Sequence, residues 1–315
     1  MRWLVKSLSV ISLMLLAGAA SAQGTGRSLD IQPGGRQNGM GATGVAMADD
    51  ATGATWWNPA GLGFVERAAV DWTFAQLVPT LADDVTYNYG TWVQPIGGWG
   101  AFGVGFVFLS YGESERTDTG GNVTGTFGSN EMSPALYYGI RLLPDFAVGA
   151  SLKYIRIQLA PDDLSGIGST FGIDVAALYK IPAARLNLGV NLQNLGPSVT
   201  FINENKSDPL GRNVKVGAAW QAMADESYQL TIASDFNQSL VTSDFRTYHA
   251  GLEFRYADQI AGRVGYYSDP LGDISDMTYG LGLRFKGLSL DWGSIPQAKD
   301  SDLGNVQKLT LGYQF

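Results

Sequence analysis

From residue 68 to residue 315 the chain alternates apolar and polar positions with a period of two. That is the repeat of a strand with one face in an apolar medium and the other in a polar one. The segment 185–194 is the clearest: Leu186, Leu188, Val190 and Leu192 alternate with Asn187, Gly189, Asn191 and Gln193. In 212–223, Val214, Val216, Ala218 and Trp220 stand against Lys215, Gly217 and Gln221, and in 246–256 Tyr248, Leu252, Phe254 and Tyr256 stand against His249, Glu253 and Arg255. The pattern predicts fourteen strands, over 68–78, 84–94, 100–112, 130–142, 146–158, 168–181, 185–194, 212–223, 227–238, 246–256, 259–268, 276–286, 287–295 and 306–315.

The connections divide into two kinds. Long links are expected at 113–129, 159–167, 195–211 and 296–305, and short ones at 143–145, 182–184, 224–226 and 257–258. Long links follow odd strands and short links follow even ones. A soluble β-sandwich has no reason to segregate its loops in this way, whereas a transmembrane barrel has long outer loops and tight periplasmic turns. The expected fold is therefore all-β: an antiparallel transmembrane β-barrel of about 14 strands.

Residues 39–61, GMGATGVAMADDATGATWWNPAG, break the pattern. Their glycines disfavour a long regular helix, and they do not alternate as a strand. A compact, small-residue segment ahead of a run of strands suggests a plug. Three blocks in order, Gly39-Met40-Gly41, then Ala46-x-Ala48-Asp49-Asp50-Ala51, then Trp57-Asn58-Pro59-Ala60-Gly61-Leu62, resemble the N-terminal signature of the PorV/PorQ family, a branch of the FadL-like outer-membrane barrels. The dense match is confined to this stretch. The resemblance implies a hatch motif of Gly39, Gly41, Asp49, Asp50, Trp57, Asn58, Pro59, Ala60 and Gly61, lodged in a fourteen-stranded barrel. It also implies an accessory role in type IX-like protein secretion at the cell surface.

Residues 1–22 have the layout of a secretory signal: Arg2 and Lys6, an apolar core over 8–17, and Ala20-Ser21-Ala22 before Gln23. The expected division is a signal peptide at 1–22, a hatch segment at 23–67 and the barrel at 68–315. Composition fits an envelope protein. The chain has 41 Gly, 14 Tyr, 14 Phe and 8 Trp with 16% charged residues, as aromatic girdles around a barrel require. There is no cysteine, and the net charge of -8 argues against nucleic acid. The last strand, with Leu309, Leu311, Tyr313 and Phe315 on one face, resembles the terminal signal for outer-membrane insertion, so Tyr313 and Phe315 are assigned that role.

The face opposite the apolar stripe carries Arg141, Lys153, Lys215, Glu253, Arg255, Arg263 and Arg284, with Asp71, Asp174, Asp235 and Asp291. These are expected to face the lumen and to pair with one another and with the hatch. No catalytic, metal or cofactor site is expected. His249 is the only histidine, and Gly98-Trp99-Gly100-Ala101-Phe102-Gly103 fits a dinucleotide motif in letters but opens a strand. Asp49-Asp50, Asp83-Asp84 and Asp162-Asp163 lack a calcium-loop pattern. The expected partners are outer-membrane lipid, the barrel assembly machinery, and secretion-system proteins or exported substrates. Two other functions stay open: passive FadL-like transport of a hydrophobic ligand, and a structural or adhesive barrel.

Overall fold

The computed structural model describes residues 25–161, 166–201, 207–225, 227–298 and 303–315. The targeting segment 1–22, Asp162-Asp163 and Glu226 of the 224–226 link lie outside the described residues. The strands are β1 (Ala69–Gln76), β2 (Thr86–Pro95), β3 (Ala101–Thr117), β4 (Val123–Leu143), β5 (Phe146–Gln158), β6 (Ile167–Ile181) and β7 (Leu186–Leu195). They continue as β8 (Asn213–Ala224), β9 (Tyr228–Ser239), β10 (Arg246–Tyr256), β11 (Ile260–Asp269), β12 (Ile274–Phe285), β13 (Leu288–Ile295) and β14 (Val306–Gln314). Each strand pairs with its neighbours in sequence, all antiparallel, and β1 pairs with β14 to close the barrel. Trp72 stands opposite Leu311 in that closing ladder.

Closure leaves no unpaired strand edge in the wall, which hydrocarbon requires. No helix among the described residues is long and apolar enough to cross a membrane; a barrel crosses with its strands. Alternation along β10 is complete, with every second residue from Thr247 to Arg255 buried and the intervening ones exposed. Outward residues such as Trp72, Leu136, Leu188, Leu252 and Leu311 form the apolar belt. Inward residues such as Lys153, Asp174, Asn191, Asp235 and Glu253 are buried.

Tight turns at one end have identifiable chemistry. Ala257-Asp258 and Lys286-Gly287 both place two consecutive residues at positive φ, the backbone twist that two-residue hairpins favour. The other end departs from expectation at 113–129. That stretch is not a loop: β3 and β4 continue there as a paired hairpin from Glu113↔Gly128 to Thr117↔Val123. Its turn is fixed by Asp118, whose carboxylate accepts the Gly120 N–H at 2.8 Å and the Asn122 N–H at 2.9 Å. The alternating pattern weakens there because both faces are solvated, so period two no longer marks the strand. The link 270–273 is also a tight turn, and 195–211 contains a short ribbon, Val199–Thr200 paired with Ser207–Asp208.

Residues 25–67 run inside the ring. They form short helical turns at Arg27–Leu29, Gly35–Gly39, Gly53–Trp57 and Pro59–Phe64. Most of their side chains are buried, and the apolar clusters of the molecule form between them and the wall: Val45, Trp56 and Trp57 pack with Tyr87, Tyr89, Val107 and Leu109.

Candidate functional site

The interior is held by contacts from the segment 25–67 to strands on all sides of the ring. On β1, Asp71 accepts the Thr52 N–H at 2.8 Å and its hydroxyl at 2.9 Å. On β4, Glu131 accepts the Ser28 N–H at 2.8 Å. On β7, Asn191 and Gln193 donate to the Trp57 and Trp56 carbonyls at 2.8 and 2.9 Å. On β9, one oxygen of Asp235 accepts from Gly44 and Val45, at 2.7 and 2.9 Å. On β14, Thr310 accepts the Gly35 N–H at 2.8 Å. An irregular backbone buried in a barrel needs such partners for its N–H and C=O groups, and inward polar side chains supply them.

One side is ionic. Arg36 donates through Nε and Nη2 to the two oxygens of Glu253, each at 3.0 Å. Arg263 Nε reaches the same carboxylate at 2.7 Å, and Arg255 at 2.8 Å. Arg263 also pairs with Asp291 at 2.7 Å, and Arg36 with Asp50 at 3.0 Å and with Asp49. Burial pushes the Asp50 carboxyl up, Arg36 pulls it down, and the neighbouring Asp49 charge adds to the rise. Elsewhere in the wall Lys153 and Asp174 form a separate buried pair at 2.7 Å.

The Asn-Pro-Ala-Gly turn sits against the short-turn ends of β4, β5 and β6. Asn58 Nδ2 donates to the Val45 carbonyl at 2.8 Å and to the Ala177 carbonyl of β6 at 3.1 Å, while its Oδ1 accepts the Ala60 N–H at 3.0 Å. It therefore caps the following turn and ties it to the wall. Pro59 and Ala60 lie so near Gly149 that a Cβ there would overlap their backbone. Gly265 of β11 meets Met40 and Gly41 in the same way, and Gly41 itself has φ +76°. Glycine on both sides lets two backbones touch.

His249 is buried and inward. Its Nδ1 lies 2.7 Å from the Gly41 carbonyl, which can only accept, so Nδ1 carries the proton and Nε2 accepts from Thr247 at 2.8 Å. No group of three or more His, Cys, Asp or Glu suited to a metal occurs among the described residues.

Of the hatch-motif residues, Gly39, Gly41, Trp57, Asn58, Pro59, Ala60 and Gly61 are buried against the wall or the segment itself, while Asp49 is exposed at the short-turn mouth. Lys153, Lys215, Glu253, Arg255 and Arg263 are inward and buried. Arg141 and Arg284 line the short-turn mouth and are more exposed, Arg141 lying 5.8 Å from the Phe64 ring. Tyr313 and Phe315 are outward at the short-turn end, their rings edge-on at 4.9 Å. Sequence reasoning missed Arg36 and Glu131. Arg36 is a lone cation in a Gly-rich run, and its need for a buried partner was the available signal. Glu131 stands at the edge of a predicted strand, where alternation does not resolve its side.

Cavities flank the segment at both ends. At the short-turn mouth one of about 430 Å³ is lined by Asp49, Asp50, Asp71, Asp258, Arg284 and Lys286 among others. At the long-loop mouth one of about 80 Å³ is lined by Arg27, Asp30, Arg212, Lys215, Asn237 and Tyr267 among others.

A closed fourteen-stranded wall with an apolar outer belt and a polar interior defines the class: a β-barrel protein of the outer membrane of a Gram-negative-type bacterium. The chain belongs to the family of the type IX secretion system protein PorV, whose model matches residues 23–246. Among solved structures it is similar to the toluene transporter TodX of Pseudomonas putida, with 12% identity and a TM-score of 0.58 over 90% of this chain and 96% of that one. It is likewise similar to a FadL homologue of Pseudomonas aeruginosa, with 13% identity and a TM-score of 0.53 over 90% and 98%. At these identities the likeness is one of fold. No curated protein matches the chain.

Proposed function

We propose that this barrel is a non-enzymatic accessory of type IX-like protein secretion, working at the outer face of the membrane through its loops. Segment 23–67 acts as a fixed hatch, and the long links face outward. One observation carries the reading: the interior is occupied by a segment fastened through buried ion pairs and carboxylate–amide contacts. A barrel so filled is not a conduit for a polypeptide. It serves such a system by presenting a surface to exported substrates or to other secretion proteins. The match to a secretion-system family supports this partner class. Tyr313 and Phe315 serve as the insertion signal read by the barrel assembly machinery. The test is purification of the full chain in mild detergent with mass spectrometry of co-purifying proteins and lipids. Reproducible recovery of secretion components supports the reading; recovery of lipid alone counts against it. For the hatch, Asn58→Ala leaves the Val45 carbonyl and the Ala60 N–H without their side-chain partner, at a cost of about 1–3 kcal/mol. It should raise small-solute permeability in liposomes while heat-modifiable gel mobility persists.

A second reading, passive uptake of hydrophobic molecules, is favoured by a local interruption of one ladder in the closed wall. The β4–β5 ladder stops at Met132↔Arg156 and resumes at Ala135↔Lys153, across Ser133 and Pro134. Proline lacks the N–H a ladder needs. Saturable uptake of an apolar solute by liposomes carrying the protein would favour this reading. The charged lining of the cavities supports the first.

A further inference from the structure

We propose that the cavity at the long-loop mouth, between Arg27–Gln32 and the ends of β8 to β11, binds a small oxyanion group, a carboxylate or a phosphate, with Lys215 as its principal donor.

Lys215 is the central observation. It is only 5% exposed and lines the cavity. Its ammonium has no hydrogen-bond acceptor and no ion pair among the described residues. Its near neighbours are the rings of Trp56 and Trp57, with centroids at 4.2 and 5.1 Å, while the Asp30 and Asp235 carboxylates act on it from beyond ion-pair distance. Ring faces attract a cation but do not accept its three N–H bonds as oxygens do. A buried charge with unmet donors is costly, and the deficit is relieved by an oxygen ligand placed in the cavity.

The surroundings point to the same chemistry. Arg212 lines the cavity, and its Nε is buried without a partner. Asn237, 7% exposed, also lines the space, and its unbonded side-chain NH2 can donate to an anion, although its buried, unpartnered Oδ1 cannot. Arg27 adds a further cation at the rim, and Asp30 is the one acidic residue of the lining, so three cations face one carboxylate. This excess attracts an anion. The volume of about 80 Å³ admits a group the size of a few waters, at roughly 30 Å³ each, and not a sugar. Phe245 and Tyr267 complete the lining. The contrast with Lys153 is informative: that equally buried lysine has Asp174 and Asn194, at 2.7 and 2.9 Å, and needs nothing more.

The test uses the full chain in maltoside micelles, titrated with sodium acetate, inorganic phosphate or decanoate against sodium chloride of equal ionic strength. Tryptophan emission is the readout, since Trp56 and Trp57 lie beside Lys215. A saturable change beyond that of chloride is expected, at least tenfold weaker in Lys215→Met. Lys180→Met, at the opposite end of the barrel, should leave it unchanged. Response to acetate and decanoate assigns a carboxylate ligand, and response to phosphate alone assigns a phosphate. Heat-modifiable mobility identifies folded protein. If Lys215→Met does not fold, Asn237→Leu and Arg212→Met carry the same expectation of weakened binding. No response beyond chloride, unchanged affinity in the folded variants, or response to decanoate alone would overturn the proposal. The first would mean that Lys215 is only hydrated, and the last that the pocket reads an apolar chain.

Discussion

Arg36 and Glu253 meet in a two-point contact, Nε to Oε2 and Nη2 to Oε1, both at 3.0 Å, and join the N-terminal segment to the tenth strand of the wall. Both side chains are buried, at 5% and 2% exposure. Removing one member costs less than the ~3–5 kcal/mol of an isolated buried pair, because Arg36 keeps Asp49 and Asp50 and Glu253 keeps Arg255 and Arg263. Glu253→Gln is the more severe change, because Arg36, Arg255 and Arg263 all lose one carboxylate. Limited proteolysis should show cleavage within 25–67 in Glu253→Gln and Arg36→Met. The double variant should lose less than the sum of the two single losses. Additive losses would show that the two do not act as a pair.

Backbone contact gives a steric prediction. A Cβ on Gly265 would overlap Met40 and Gly41, whereas one on Gly262, three positions earlier on the same strand, meets nothing within 4 Å. Gly265→Val should displace the segment and expose it to protease, and Gly262→Val should not. Equal protection of the two variants would place the segment elsewhere.

The two faces of β7 differ. Leu188 is outward, and Asn191 is inward and bonded to the Trp57 carbonyl. Arginine facing lipid costs up to about 2–4 kcal/mol at the midplane and less toward the interfaces, and Leu188 is the third residue of its strand from the short turn. Leu188→Arg should lower the yield of heat-modifiable barrel in membranes. Asn191→Arg should insert but loosen the segment at Trp57. The ratio of inserted to aggregated protein separates the two effects.

Asp30 gives the oxyanion site a pH dependence. Burial pushes its carboxyl up to about 6, with Arg27 and Lys215 pulling it down, Glu131 pushing it up and Lys153 pulling it down. Above that pH its negative charge opposes an incoming anion; below it the carboxyl is neutral and the cations act unopposed. Acetate should bind more tightly at pH 5.5 than at pH 7.5. Asp30→Asn should bind with nearly the pH 5.5 affinity at both values, apart from any titration of the probe. A variant that keeps the full pH dependence would assign it to another group.

The sequence by itself determined the wall. Period-two alternation in 185–194 or 246–256 needs no tertiary information, because an apolar medium outside and a polar space inside sort residues one by one. Strand number and the closed antiparallel order followed, and so did the inward placement of Lys153 or Glu253. Tertiary structure decided whatever depends on pairs far apart in the chain. Nothing local in Arg36 indicates Glu253, and nothing local in Gly265 indicates Gly41. The hairpin at 113–129 also needed it, since solvent on both faces removes the alternation while ladder hydrogen bonds persist. Lys215 shows the division most plainly. Its position on the inner face is written in the alternation of 212–223, but its ammonium stands beside Trp56 and Trp57 without an ion pair only because the folded segment places two indole rings against it and holds the Asp30 carboxylate beyond salt-bridge distance.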